Sequence, residues 1–358
     1  MRLPRPFLAA LASTGPLAWA TAPAQGYPNQ TEGDFVSRDF HFQDGKTLPE
    51  VRLHYTTLGA PQRDKAGRVT NAVLLLHGTT GTGKSFLAPS LAGELFGAGH
   101  PLDASRYYVI LPDGLGRGGS SKPSDGLRAR FPRYGYRDVV AAQHLLVTQG
   151  LGVDHLLLVL GTSMGGMQTW MWGERYPDMM DLLMPIASQP IQISGRNLLW
   201  RRVVTESIRA DPDWNGGDYR APPRHWARVA PIFAIMSGSP VRLQGQAPTR
   251  QAAAELYDQL VEDARKVDAN DCLFWFESSW DYDPEPDLGE IKARLLAVNF
   301  ADDLINASDL GVMERLVPRV AGASFVVVPA SDRTNGHQTL TQAAVWKAYL
   351  ARLLGAQP

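Results

Sequence analysis

The feature that most constrains the fold of this chain is a series of short, uninterrupted apolar runs that alternate with helix-like segments. Buried parallel strands have this composition because helices cover both of their faces. Alternation of strands and helices predicts a parallel sheet with right-handed crossovers. The strand-like runs are 72–76, 107–111, 156–160, 182–186, 294–298 and 324–328, and the helix-like segments are 138–147, 164–175 and 339–354. We therefore predict an α/β fold with a mostly parallel central sheet flanked by helices.

Two departures from this rhythm indicate how the chain is organised. Polar and apolar residues alternate over 35–58 around a turn at Asp44 and Gly45, which predicts an antiparallel hairpin at the edge of the sheet. The strand pattern stops after Ser188 and resumes only near Arg294. The intervening segment, rich in Trp, Arg and Pro, predicts a helical cap at 189–288 inserted into a core formed by 35–188 and 289–358.

The N-terminus predicts export. Residues 1–24 combine a basic start, an apolar stretch and small-residue cleavage sites, as a signal peptide does, so we expect a periplasmic or secreted protein. The rest of the sequence contains no apolar run long enough to predict a membrane span. One cysteine, Cys272, cannot form an intramolecular disulfide or a thiolate metal cluster.

The charge balance excludes several kinds of partner. The formal net charge is −1, so the sequence gives no sign of a basic surface that would bind nucleic acid. No H-E-x-x-H motif is present, so zinc chemistry has no support, and we expect neither a metal nor a cofactor. We expect a small-molecule substrate, and the sequence leaves open whether two copies pair as a homodimer.

The motif Gly161-Thr-Ser163-Met-Gly165 lies directly after one predicted strand and before a predicted helix. A G-x-S-x-G sequence in this context predicts a nucleophile elbow, in which glycines allow neighbouring backbones to approach a tight turn. The serine is left at the N-terminus of the helix, where developing negative charge is stabilised. Ser163 is therefore the predicted nucleophile.

A serine hydroxyl needs a base, and in this architecture the acid and the histidine follow the serine along the chain. Asp302 and Asp303 follow the apolar run that begins at Arg294, and His337 follows the last predicted strand. Such an aspartate would hold the imidazole in the correct tautomer, while His337 would act first as base and then as acid. From position alone, either aspartate can fill the acid role.

A competing motif occurs at 78–85, where Gly-Thr-Thr-Gly-Thr-Gly-Lys-Ser satisfies the phosphate-binding pattern G-x-x-x-x-G-K-S. The alternative is that this loop donates a backbone N–H to an oxyanion hole, with the second N–H coming from the residue after the nucleophile. A nucleotide-binding loop would leave the ordered Ser163, Asp303 and His337 unexplained. A P-loop nucleotide-binding protein is therefore a remote alternative.

Four sequence blocks resemble the homoserine O-acetyltransferase branch of the α/β-hydrolase superfamily: 134–143, 161–168, 211–219 and 300–303. The resemblance extends over most of the chain after about residue 35 and implies an α/β-hydrolase fold with a helical cap. It implies a catalytic triad of Ser163, Asp303 and His337, and it favours Asp303 over Asp302. It also implies oxyanion donors at the backbone of Thr79 and Met164.

The same resemblance fails at the positions expected to recognise substrate. Family acetyltransferases look as though they hold homoserine with an arginine and an aspartate, where this chain has Thr205 and Gln338. A zwitterion then lacks charge-assisted contacts. The sequence thus predicts a serine hydrolase that cleaves a carboxylic ester, in preference to an amide, through an acyl-serine intermediate. The alternative is an O-acyltransferase of the homoserine acetyltransferase type.

Overall fold

The predicted strands form the centre of an eight-stranded sheet in this computed structural model, which describes residues 26–355. The spatial order is β1-β2-β4-β3-β5-β6-β7-β8. The hairpin β1–β2 is antiparallel and joins β4 in antiparallel fashion, whereas the remaining pairs are parallel. The strands are β1 Thr31–His41, β2 Thr47–Leu58, β3 Ala72–Leu76, β4 Tyr108–Pro112, β5 Leu156–Thr162, β6 Met180–Ile186, β7 Arg294–Phe300 and β8 Ser324–Val328. The predicted α/β fold is confirmed, with the hairpin at the sheet edge.

Helices cover both faces of this sheet, which explains the uninterrupted apolar composition of its central strands. Leu74 and Leu76 of β3 pack on one face, while Val73 and Leu75 pack on the other. The helices are α1 Pro89–Leu95, α2 Tyr136–Leu145, α3 Met164–Arg175, α4 Gly195–Arg209, α5 Pro231–Ser237, α6 Pro240–Gln246, α7 Arg250–Ala264, α8 Ala269–Glu277, α9 Val312–Leu316 and α10 Ala343–Gly355. Helices α2, α3 and α9 share a core with the first face, and α1 and α10 share one with the second.

The segment between β6 and β7, all of which is described, contains helices α4 to α8 and no strand. These helices enclose a small apolar core of their own, which includes Trp200, Trp226 and Phe276. Hydrogen bonds join the segment to the loops after β4, β7 and β8: Trp275 Nε1 donates to the carbonyl of Gly116, Arg196 to that of Leu304, and the amide of Ser239 to the side chain of Asn335. The helical segment therefore packs against the loops at the carboxyl ends of the parallel strands.

Two expectations concern export and membrane spanning. The predicted signal peptide, residues 1–24, lies outside the described residues, so export stays a prediction. Among residues 26–355, no helix is both long enough and apolar enough to cross a membrane.

Candidate active site

Ser163 occupies a sharp turn between β5 and α3. Its backbone has φ 55° and ψ −114°, a region that favours glycine, so the turn is strained. A Cβ on Gly161 would lie 2.0 Å from the carbonyl oxygen of Gly165, and one on Gly165 would lie 2.0 Å from that of Leu76. Only glycine fits at these two positions, which accounts for the predicted G-x-S-x-G pattern.

Three side chains from three strand ends meet at this turn. Ser163 Oγ lies 2.7 Å from Nε2 of His337, and Nδ1 of His337 lies 2.7 Å from Oδ2 of Asp303. Asp303 follows β7, and His337 lies in the loop after β8. The structure therefore brings together the three residues that the sequence singled out, in the hydrogen-bonding order that a serine nucleophile requires.

The carboxylate of Asp303 is buried, and its hydrogen bonds keep it charged. Burial alone would raise the pKa of Asp303, but the electrostatic interaction with His337 and hydrogen bonds from His337 and Asn306 hold that pKa below its usual value. The amides of Ile305 and Asn306 donate to Oδ1 at 2.7 and 3.1 Å, and Asn306 Nδ2 donates to Oδ2 at 3.1 Å. Asn306 was not expected from the sequence, because no motif in the chain marks it.

Asp302 faces away from the imidazole and holds the histidine loop. Its Oδ2 accepts hydrogen bonds from Thr334 Oγ1 and from the amide of Gly336, both at 2.9 Å. The two adjacent carboxylates thus have separate tasks: Asp303 contacts His337 directly, while Asp302 fixes the backbone just before it.

The loop after β3 lies beside Ser163. A Cβ on Gly78 would lie 3.5 Å from that of Ser163, and a hydrogen bond of 3.0 Å from the Gly81 amide to the Gly78 carbonyl closes a tight turn. Thr79 is buried within this turn, and Met164 is the first residue of α3. Both residues predicted as oxyanion donors therefore adjoin the serine, and backbone N–H groups at such places can stabilise a developing oxyanion.

His77 anchors this turn, although sequence analysis assigned it no role. Its Nδ1 donates to the Gly78 carbonyl at 2.8 Å, and its Nε2 accepts from the amide of Gly114 at 2.9 Å. Burial, followed by the charge of Arg117, lowers the pKa of His77 to about 4. The imidazole is therefore neutral at neutral pH, as the two hydrogen bonds require.

This shifted pKa predicts a loss of stability in acid. An unfolded chain binds a proton at this histidine near pH 6.5, whereas the folded one does so only near pH 4, so stability falls as the pH drops between these values. We expect wild type to lose about 2 to 3 kcal/mol more of unfolding free energy between pH 7 and pH 4.5 than His77→Gln does. Urea titrations of both proteins at the two pH values measure this difference. Equal losses would show that His77 is not buried in neutral form.

The phosphate-loop pattern at 78–85 does not form a phosphate cradle. The amide of Gly83 donates to Oδ1 of Asp113 at 2.7 Å, so a carboxylate already occupies a position that a phosphate would need. Lys84 points to the surface and forms an ion pair of 2.9 Å with Glu32. This geometry gives the nucleotide-binding alternative no support.

Lys84→Ala is accordingly expected to alter acyl chemistry less than threefold, because its ammonium pairs with Glu32 at the surface and the expected oxyanion donors are backbone N–H groups. ATP with magnesium is expected to leave the melting temperature of wild type unchanged. A thermal shift with ATP that disappears in Lys84→Ala would reinstate the nucleotide-binding hypothesis.

The two residues predicted to contact substrate, Thr205 and Gln338, lie in different elements. Thr205 is buried on α4, and its hydroxyl makes only a long, 3.5 Å hydrogen bond to the carbonyl of Arg202. Gln338 directly follows His337 and is half-buried. Neither side chain supplies a charge at these positions.

The strand order and the placement of serine, aspartate and histidine after β5, β7 and β8 define the α/β-hydrolase fold. A family model described as "alpha/beta hydrolase fold" matches residues 71–328. A homoserine O-acetyltransferase of Acidiphilium cryptum is 30% identical over 344 residues, covering 82% of this chain and 86% of that protein. The chain belongs to the α/β-hydrolase family and, within it, to the homoserine O-acetyltransferase-like branch.

Two further similar proteins include one with a different name. A homoserine O-acetyltransferase of Thermobifida fusca is 36% identical over 198 residues, so the match spans about half of each chain (51%). The crystal structure of the acetyl esterase MekB superposes with a TM-score of 0.78 at 26% identity, covering 91% of this chain and 97% of that one. The proteins similar to this chain thus include relatives named for acyl transfer and a structural neighbour named for ester hydrolysis.

Proposed function

We propose that this chain is a serine-dependent acyl-transfer enzyme, in which Ser163 takes an acyl group from an ester or thioester and passes it to an alcohol. The observation that carries this proposal is the unbroken relay from Ser163 Oγ through His337 to Asp303, with both links at 2.7 Å. A serine so connected can lose its proton to the imidazole as it attacks a carbonyl carbon.

Each half of the reaction uses the same groups. When Ser163 Oγ bonds to the carbonyl carbon, its proton moves to Nε2 of His337, and the buried charge of Asp303 stabilises the resulting imidazolium. The amides of Thr79 and Met164 donate to the oxyanion. Collapse of the tetrahedral intermediate breaks the bond to the leaving group, which takes the proton from His337. The acceptor hydroxyl then gives its proton to His337 as it attacks the acyl-serine. The second tetrahedral intermediate collapses, the bond to Ser163 Oγ breaks, and Ser163 takes that proton back from His337.

The acceptor separates two candidate functions. The curated relatives are named for transfer to an alcohol, and they support acyl transfer over the hydrolysis that the sequence favoured. The similarity to an acetyl esterase supports water as the second candidate acceptor. Because Thr205 and Gln338 are uncharged, we propose an alcohol that is not a free amino acid.

An acceptor competition tests this proposal. With p-nitrophenyl acetate as donor, we expect 1,3-butanediol, a neutral hydroxyl acceptor, to be acetylated at least about 100-fold faster than homoserine, a gap of about 2.7 kcal/mol. The reason is that the ammonium of homoserine would lose water without gaining an anionic partner, because Gln338 is uncharged. Quantifying acetylated alcohol and free acetate by mass spectrometry gives both rates. Faster acetylation of homoserine would contradict the proposed acceptor, and release of acetate alone would favour the esterase.

A further inference from the structure

Arg117, in the loop after β4, is a buried cation without a carboxylate partner. The residue is 5% exposed, yet it forms no ion pair with any described residue; the charges of Asp113 and Asp271 act on it only from a distance. Its Nε donates to the carbonyl of Gly81 at 3.0 Å, its guanidinium lies 3.4 Å from the ring centroid of Trp275, and its Nη1 has no hydrogen-bond partner. Proteins rarely bury an arginine in this state, because the lost hydration is not replaced.

This arginine is connected to the site around Ser163 through a single turn. Gly81, which it contacts, is the fourth residue of the turn that begins at Gly78, and Gly78 adjoins Ser163. The first and fourth Cα atoms of such a turn are less than about 7 Å apart. That span is comparable to the length of a short dicarboxylic acyl chain. The carbonyl of Gly81 that Arg117 contacts therefore belongs to a residue within about one turn's span of Gly78, which adjoins Ser163.

A second buried arginine contacts the same helical segment as Arg117. Arg201 on α4 is 4% exposed, and its hydrogen-bonding partners are the neutral side chains of Asn197 and Ser279. Ser279 follows Trp275 by four residues, about one helical turn, so the two arginines contact neighbouring parts of one segment. The junction between the helical cap and the sheet domain thus holds two cations that lack a directly paired anion.

We propose that Arg117 binds a carboxylate of the substrate and makes the enzyme select an anionic ester over its neutral counterpart. Nη1 would donate to that carboxylate, while Nε keeps its bond to Gly81 and Arg201 strengthens the local positive potential. A guanidinium is suited to this task because its donors are fixed in one plane and its hydrogen bonds to carboxylate are charge-assisted. The inference rests on the proposed function and adds a substrate class to it.

Two matched ester pairs test the inference and locate the charge. In the acyl pair, p-nitrophenyl hemiglutarate is compared with p-nitrophenyl valerate, after subtraction of uncatalysed hydrolysis. In the alcohol pair, the valerate ester of 4-hydroxybenzoate is compared with that of 4-hydroxybenzamide. We expect wild type to favour the charged member of one pair at least about tenfold in kcat/KM. In Arg117→Gln this charged-to-neutral ratio should fall at least about tenfold, and Arg117→Lys should retain part of it.

Each ratio is measured on one protein sample, so a variant that folds incompletely lowers both rates and leaves the ratio intact. A ratio near one for wild type in both pairs would overturn the inference. An equal decrease in kcat/KM for charged and neutral esters in Arg117→Gln would also overturn it, because Arg117 would then have a purely structural role.

A binding measurement separates failure of this inference from failure of the proposed function. If none of the four esters is turned over, acyl transfer through Ser163 is wrong, but Arg117 can still bind a carboxylate. Glutarate is then expected to raise the melting temperature of wild type, relative to sodium chloride of equal ionic strength, and not that of Arg117→Gln. An equal response of the two proteins would refute the carboxylate site.

Discussion

Replacement of Ser163 by alanine is expected to lower kcat/KM for p-nitrophenyl acetate by at least about 10⁴-fold, because triad members act as a unit. The alanine is expected to retain the fold while removing the atom that bonds to the acyl group in the proposed reaction. Wild type should be labelled by a fluorophosphonate at Ser163, and the variant should not. Ser207→Ala, which changes a half-buried serine of α4, provides the matched control and should retain both activity and labelling.

Activity above about a tenth of wild type in Ser163→Ala would remove this residue as the nucleophile. The melting temperature of the variant must be measured as well, since a large decrease would attribute the loss of activity to unfolding. We expect no such decrease, because the serine hydroxyl makes no hydrogen bond that caps α3 and so does not stabilise the strained backbone at position 163.

The second large effect on activity is expected from replacing one of the two adjacent aspartates, Asp302 and Asp303. Asp303→Asn should lower kcat by about 10⁴-fold, because the amide cannot both accept from Nδ1 of His337 and stabilise the imidazolium. Asp302→Asn is the matched control, with the same chemical change one residue away. Asp302→Asn should lower kcat by about tenfold or less, because the amide oxygen can still accept a hydrogen bond from Gly336 or Thr334.

Steady-state kinetics of the two variants, with circular dichroism to verify folding, decide this prediction. If Asp302→Asn were the more damaging change in a folded protein, the hydrogen bond between Asp303 and His337 would not be the one that supports catalysis. Comparable losses would indicate that both carboxylates contribute directly to the charge of the imidazole.

The parts of the fold that follow from local composition could be predicted from sequence. The predicted runs 72–76 and 324–328 coincide with β3 and β8, and 164–175 coincides with α3. Continuous burial demands apolar residues at every position of such strands, and this leaves a strong local signal. The serine turn was equally visible because two close backbone approaches admit only glycine.

The supporting contacts of the site could not be predicted in the same way. Asp302 bonds to Gly336, 34 positions later, and Asp113 bonds to Gly83, 30 positions earlier. Such pairs depend on which loops become neighbours after the sheet assembles, and ordinary polar residues in loops give no local sign of them. For the same reason, burial of Arg117 was not apparent, since arginine is usually exposed.

The wide spacing of the three reactive side chains determines when the chain can become reactive. Ser163 and His337 are 174 positions apart, and Asp303 and His337 are 34 apart. In the proposed mechanism, Ser163 is an unactivated hydroxyl until β7 and β8 have joined the sheet. We therefore expect a partly unfolded molecule to be unreactive toward esters. Enzymatic activity in any preparation consequently reports the fraction of molecules that have completed the whole sheet.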